Sequence, residues 1–382
     1  MSILIVGAGF AGAVYARTLA DHGFRVTVID SRDHVGGNAF DYVDDAGVRV
    51  HKYGPHLFHT NNERVVDWIK QFSEFVIYEH SVSVECGTKF LPLPISRATF
   101  EAYYNRTFGS TAELEHFLRE IVIETDNPRN AAEFLYSKIG IDLTELLFRP
   151  YTLKMWGQEL EAMDEKVVRR LSIHLDYEYR YFPKDQFQLL PKHGYTRVFE
   201  NMLDHGHIDL SLGTAYADVD VRDYDHVFTS AAIDEHYDYR FGELPYRSIR
   251  FFNETLLAHR AALPTPVVNF SDDGPFTRRT DWHMLPEHHV RETGFRTRTL
   301  EQPCDFRDNN RQRYYPINDA AGLNRDIYEK YRAHALKEPN IDFIGRCGTY
   351  QYLDMHQVIS QSLTGAHKWL LQRSPVPHAV AS

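Results

Sequence analysis

Residues 2–30 constrain the fold more than any other stretch. Ser2 to Val6 (SILIV) is a compact apolar run rich in β-branched side chains, and it reads as a buried strand. Gly7-Ala8-Gly9-Phe10-Ala11-Gly12 follows without a break, and Ala13 to Asp21 carries helical spacing. Arg25 to Asp30 (RVTVID) is a second apolar strand that ends in a carboxylate. Gly7 permits the tight turn, and Gly9 lets backbone approach a pyrophosphate with no Cβ between. Gly12 allows the helix to lie close on the strand. The helix N-terminus offers free N–H groups to phosphate charge, and Asp30 can accept hydrogen bonds from an adenosine ribose. FAD or NAD is therefore expected in preference to a 2′-phosphorylated cofactor. A glycine triplet alone also occurs in ordinary turns, but here strand, turn, helix, strand and acid stand in the required order.

A chain of 382 residues can bury a substantial core and divide into two or three domains. A net charge of −11 argues against a nucleic-acid partner, although a local basic pocket for one diphosphate remains compatible with it. Cys86, Cys304 and Cys347 make no spacing motif, so neither a disulfide framework nor a cysteine zinc site is expected. A reducing, cytoplasmic setting fits. His56 and His59, in HKYGPHLFHT, have no third ligand at a useful spacing and read as a polar loop beside the cofactor, with no metal. No basic leader opens the sequence, and no apolar stretch approaches the ~20 residues of a bilayer span, so membrane insertion is not expected. Tyrosine (23) and phenylalanine (24) are abundant, which suits a pocket for sugars or flat rings, or simply a large aromatic core.

Further along, 61–72 has the apolar spacing of a helix, and 75–90 alternates like strands with Gly87 as the turn. Pro92 and Pro94 are expected to break that pattern. Residues 96–160 lose strand alternation and read as an insertion of about four or five helices. Strand formers return after Arg169, an amphipathic helix is expected over 196–203, and strands over 208–215, 226–231, 248–253 and 266–270. Arg307 to Arg313 reads as a charged loop. Strand 341–343, Gly345 and a helix opening at Asp354 close the fold, with the helix N-terminus aimed at the cofactor.

Ser31 to Phe40 (SRDHVGGNAF) resembles the glycine-pair motif of flavoproteins with the two-dinucleotide-binding-domain fold, which favours FAD. The expected class is thus α/β: an FAD-binding Rossmann-like domain with a helical insertion and an antiparallel-sheet domain. The expected division gives 1–79 with 191–246 and 320–382 to a discontinuous FAD-binding domain. It gives 95–165 to a helical bundle with a mobile substrate loop, and 80–94 with 166–190 and 247–319 to the antiparallel sheet.

GAGFAGA, GGNAFD, HKYGPHLFHT, YTLKMWG, DYRFGELPYRS, RYYPIND and YLDMHQVIS, in that order along nearly the whole chain, together resemble the UDP-galactopyranose mutase family. The resemblance implies a redox-neutral interconversion of the pyranose and furanose forms of a nucleoside-diphosphate sugar, with UDP-galactose foremost, dependent on reduced FAD. Flavin N5 would attack the anomeric carbon to form a flavin–sugar adduct while the diphosphate leaves and returns. Arg170 and Arg278 would hold the diphosphate with forked guanidiniums, and Arg247 would stand near sugar and phosphates. Tyr151 and Trp156 match the mobile loop over the substrate. Tyr181, Tyr315 and Tyr352 match diphosphate-bonding tyrosines, and Asn269, Phe148 and His80 would also meet the substrate. His59 would sit beside the flavin as a catalytic-site histidine, with Gly37, Asn38, His56, Tyr352 and Met355 around the cofactor. Arg346 and Asp354 would take its pyrophosphate and ribityl chain.

His80 stands where many bacterial members have asparagine, and His174 where some have arginine, which leaves base and sugar open. Alternatives are the same reaction on UDP-N-acetylgalactosamine or a GDP-hexose, an FAD-dependent amine oxidase-like oxidoreductase, and a non-catalytic flavoprotein. A homodimer is compatible with each. Taken without the resemblance, Arg169/Arg170 and Arg278/Arg279 read as surface doublets, and the spacing of Tyr151 and Trp156 suits helix packing as well as it suits a cover over substrate.

Overall fold

The computed structural model describes residues 1–169, 173–259, 263–317, 319 and 322–373. β1 (Ser2–Val6) passes through the glycine turn into α1 (Phe10–Asp21) and on to β2 (Arg25–Asp30). Ile3, Ile5, Val26 and Val28 are buried, as are most α1 residues, which explains the continuous apolar runs. β3 (Asp41–Val43) and β4 (Arg49–His51) form an antiparallel pair. β5 (Phe58–Thr60) and α2 (Glu63–Ile69) follow, and Asn62 caps α2 by accepting from the Val65 N–H at 3.3 Å.

β6 (Phe75–Ile77), β7 (Val82–Cys86) and β8 (Lys89–Leu93) come next, with Gly87 at φ +62° turning β7 into β8. Pro92 does not break the strand, contrary to the sequence expectation. β8 is an edge strand, where a missing N–H need not cost a ladder bond. The helical insertion comprises α3 (Arg97–Tyr104), α4 (Thr111–Ile121) and α5 (Ala131–Leu143). A π-turn over Thr144–Phe148 leads into α6 (Arg149–Trp156), followed by α7 (Lys166–Arg169). Phe100, Phe108, Leu114, Leu135, Ile139 and Leu143 form the insertion's core.

β9 (Phe187–Pro191), α8 (Tyr195–Leu203), β10 (Ile208–Leu212), β11 (His226–Thr229) and α9 (Ile233–His236) return the chain to the first domain. β12 (Tyr246–Leu257), β13 (Val267–Phe270), β14 (Arg278–Asp281), β15 (Phe295–Asp305) and β16 (Tyr315–Pro316) extend the second sheet. α10 (Leu323–Ala335), β17 (Ile341–Phe343), α11 (Gly345–Gly348) and α12 (Met355–Arg373) finish the fold.

A parallel sheet in the order β10-β2-β1-β11-β17 carries α1 and α12, the arrangement of a Rossmann-like domain. The second sheet runs β16-β12-β15-β14-β13-β7-β8 and is antiparallel except where β13 pairs with β7. β5, β9 and β6 form a small third sheet, so β9 straddles residues 190 and 191, where the sequence division places a boundary. Among the described residues no helix is long and apolar enough to cross a membrane.

Candidate functional site

Strand register, more than sequence proximity, assembles the site. Asn269 lies opposite Arg278, Arg278 opposite Glu301, Val267 opposite Val82, and Arg247 opposite Tyr315. Alternate residues of a strand share a face, so Val82, Val267, Asn269, Arg278, Glu301, Ile249 and Tyr315 point the same way. All seven line one cavity with about 1010 Å³ of empty space, its open mouth included. The loop Tyr53–Leu57 and His59 form another wall, and Asn38, Arg346, Tyr352, Asp354, Met355 and His356 the end nearest α12. Tyr151 of α6 and Tyr181 complete it.

Arg278 is the central cation. Its Nε and Nη2 donate to the two carboxylate oxygens of Glu301 at 2.9 and 2.7 Å. Burial is the largest single influence and works against the guanidinium charge, but the fully buried Glu301 carboxylate, with Tyr151 and Tyr315 adding, tips the balance and keeps Arg278 protonated. Burial also pushes the Tyr151 hydroxyl up to about 12 and the Tyr315 hydroxyl further, so both remain donors. His80 is pulled down to about 3 by burial and then by Arg278, and His56 to about 4, so both rings are neutral. The His56 Nδ1 bonds the Gly54 carbonyl at 2.8 Å. His59 stacks on Phe182 at 3.6 Å, and its Nδ1 meets Asp185 at 2.6 Å. Among the described residues no three His, Cys, Asp or Glu side chains group as metal ligands, and the three cysteines are free thiols.

At the dinucleotide turn Gly7 adopts φ +106°, which favours glycine. A Cβ on Gly12 would stand 1.9 Å from the Gly7 carbonyl oxygen, so only hydrogen fits there. A Cβ on Gly9 would face the Gly37 Cα at 3.6 Å, so two chain segments meet glycine to glycine. Asp30 accepts from the Ala8 and Arg32 N–H groups at 2.8 and 2.9 Å, a turn-holding role beyond the ribose contact expected from sequence. Each oxygen keeps a lone pair for a further donor. α1 starts without a side-chain cap, and the buried Tyr314 hydroxyl on the cavity wall has no partner among the described residues. Uncapped helix N–H groups, a Cβ-free cradle and an orphaned hydroxyl fit a bound dinucleotide.

Several expected residues stand elsewhere. Arg247 shares the sheet face but does not line the cavity; its Nε and Nη2 donate to the Met155 and Lys154 carbonyls at 2.8 and 3.0 Å, capping the end of α6. Phe148 packs against the helical core rather than in the cavity. Trp156 stands behind the wall, 6.1 Å from Tyr315 and 6.4 Å from Tyr352. The turn residues Gly7, Gly9, Gly12, Asp30 and Gly37 lie at the head of α1, off the cavity lining. Arg170 lies outside the described residues. His174 is half-buried and held through its backbone N–H to the Ile95 carbonyl at 2.9 Å. Glu301 and Asp185 had no sequence signal: they lie 23 and 126 residues from the side chains they orient.

Lys154 fastens α6 to the sheet, its Nζ donating to the Phe270 and Asp272 carbonyls at 3.2 and 2.8 Å. Lys154→Met is expected to raise KM about tenfold by loosening the helix that carries Tyr151, with dinucleotide affinity unchanged. An unchanged KM in steady-state assays would show that the helix holds its place without this contact.

A family model described as UDP-galactopyranose mutase matches residues 146–352, and one described as an NAD(P)-binding Rossmann-like domain matches 5–72. A Klebsiella pneumoniae protein named "Probable UDP-galactopyranose mutase" is 36% identical over 97% of this chain and 94% of its own length. An Escherichia coli dTDP-fucopyranose mutase is 33% identical over 96% and 98%. A crystal structure of reduced UDP-galactopyranose mutase superposes with a TM-score of 0.74, covering 98% of this chain and 96% of that one at 17% identity, a likeness of fold. With a Rossmann-like turn at the head of α1 and a forked arginine on the cavity wall, the chain belongs to the UDP-galactopyranose mutase family, isomerases that interconvert pyranose and furanose forms.

Proposed function

We propose that the chain interconverts UDP-galactopyranose and UDP-galactofuranose using reduced FAD. The observation that carries this reading is the Arg278–Glu301 pair ringed by Tyr151, Tyr181, Tyr315 and Tyr352, a wall suited to a diphosphate and not to an amine. The flavin, when bound and reduced, supplies a nucleophilic nitrogen. Gly7, Gly9, Gly12, Asp30, Gly37 and Asn38 would hold its dinucleotide portion, with Arg346, Asp354, Met355, His56 and His59 toward the ring and ribityl chain.

Arg278 then balances the charge of the departing diphosphate and keeps it within reach for re-attack. We assign the second diphosphate cation to Arg170 from sequence position alone. The tyrosine hydroxyls donate to the phosphate oxygens, while neutral His80 and Asn269 read the sugar or base. Asp185 holds His59 by Nδ1, which makes Nε2 the nitrogen available to a ligand. The three-part division of the chain given above is kept in this reading, except that β9 goes with the FAD-binding part, with whose β5 and β6 it pairs.

A second reading, the same chemistry on a dTDP-6-deoxyhexose, is favoured by the full-length likeness to the Escherichia coli enzyme. The purified protein is expected to be yellow, to turn over only after dithionite reduction, and to consume no oxygen in doing so. Chromatography of UDP-galactose and dTDP-fucose reactions separates the two substrates. Equal turnover with fully oxidised flavin, or peroxide formed in step with product, overturns the reading.

A further inference from the structure

Behind the cavity wall lies a buried imidazole pair that the proposed reaction does not use. The His56 backbone N–H lies 3.0 Å from His51 Nδ1. A backbone N–H can only donate, so His51 Nδ1 carries no proton and the neutral ring bears its proton on Nε2. That nitrogen lies 3.0 Å from His288 Nε2, which must therefore accept. The His288 proton then sits on Nδ1, 2.8 Å from the Pro286 carbonyl oxygen. Every donor in this chain points the same way, from His56 through two rings to Pro286. Both rings are 1% exposed, and neither lines the cavity. The four residues Gly54, Pro55, His56 and Leu57, at the near end of the chain, all do.

We propose that His51 and His288 are positioning residues, a one-way hydrogen-bond clasp that holds the Gly54–Leu57 wall of the site against the segment around Pro286. The clasp requires both rings neutral. A second proton on His51 sets N–H against the His56 N–H, and one on His288 sets N–H against the His51 N–H. The surrounding groups offer little relief. Asp41 is 4.0 Å from His51 Nε2, but its oxygens are held by the Tyr195 and Thr196 N–H groups at 2.6 and 3.1 Å. Arg49 stands nearby as a cation, its Nη1 on the Glu287 carbonyl at 2.7 Å, and Tyr195 presents its ring 5.5 Å from His51. His56 is committed to Gly54.

Burial, with His288, His56 and Arg49 adding, sets His51 well below the ordinary histidine range. Burial and then Arg49 bring His288 to about 4, against the Pro286 carbonyl, which works to raise it. An opened loop would bind protons first, so acidification from about 6.5 toward 4 favours opening, and alkaline pH does not.

The test uses the full chain with and without FAD. In the apoprotein, His288→Leu leaves the His51 Nε2–H unpaired, and trypsin cleavage after Lys52 is expected to rise about tenfold. His288→Gln, whose amide oxygen can accept the same bond, is expected to stay within about threefold of the wild type. FAD affinity, read by flavin fluorescence, is expected to follow the same order. Wild-type cleavage in His288→Leu overturns the proposal. If that variant loses its circular dichroism, ¹⁵N imidazole NMR of the wild type decides. Neutral His51 protonated on Nε2 and neutral His288 protonated on Nδ1 at pH 7 support the clasp; the opposite tautomers, or a charged ring, overturn it. Only the FAD readout rests on the proposed function. A chain that binds no FAD yet shows the cleavage pattern would sink that function and leave the clasp standing.

Discussion

Arg278→Ala is expected to lower mutase turnover about 10³-fold while the protein stays yellow. The loss is of the order found when one donor to a developing negative charge is removed from a preorganised site. The same change is expected to cost about 3–5 kcal/mol of stability, because it strands the fully buried Glu301 carboxylate to which both Arg278 donors are forked. These two effects separate cleanly. Glu301→Gln in the Arg278→Met background removes the stranded charge and should restore most of the stability without restoring turnover. Arg278→Lys keeps the charge but not the fork, and is expected to fall between, since an ammonium cannot bond both Glu301 and a phosphate in the same plane. Steady-state kinetics after dithionite reduction, urea unfolding and the flavin absorbance band measure the three quantities. Turnover near the wild-type value in Arg278→Ala would move the diphosphate elsewhere in the cavity.

What the sequence disclosed depended on how local the physics was. The turn from β1 to α1 was legible because the positive φ of Gly7 and the approach of Gly12 to the Gly7 carbonyl are both set within a few residues, whereas the Gly9–Gly37 approach joins distant segments. Helix 61–72 was legible as a type but not in length, since its last residues turn away after Ile69. Pro92 misled because the sequence does not say which strand lies at a sheet edge.

The site itself was harder to read. Asn269, Arg278 and Glu301 meet through register across three strands, and no spacing rule reaches from 278 to 301. Arg247 was expected at the phosphates because it stands in a matching segment. The structure instead sets its donors on the Met155 and Lys154 carbonyls, since the last turn of α6 leaves those oxygens without helical partners. His51 and His288, 237 residues apart, drew no attention as a pair, because one histidine in a strand and one in a loop carry no pattern.

Gly12→Ala and Gly9→Ala are expected to give colourless protein for different physical reasons. At Gly12 the added methyl meets the Gly7 carbonyl oxygen at 1.9 Å and Ile5 Cγ2 at 2.9 Å, both within the packed β1–α1 contact. Neither neighbour can retreat without separating helix from strand, so a loss of roughly 3 kcal/mol is expected, at the upper end of overpacking costs. At Gly9 the nearest neighbour would be the Gly37 Cα at 3.6 Å, ordinary contact, and the fold should hold to within about 1 kcal/mol. The methyl would nevertheless occupy the approach that a pyrophosphate needs at the uncapped start of α1, with FAD affinity falling about 100-fold, which corresponds to roughly 2.7 kcal/mol. Thermal unfolding of the two apoproteins, set beside flavin titration, distinguishes a broken fold from a blocked cradle. Full flavin occupancy in Gly9→Ala, with an unaltered melting temperature, would place the pyrophosphate away from this turn and remove the structural ground for reading β1–α1 as its binding site.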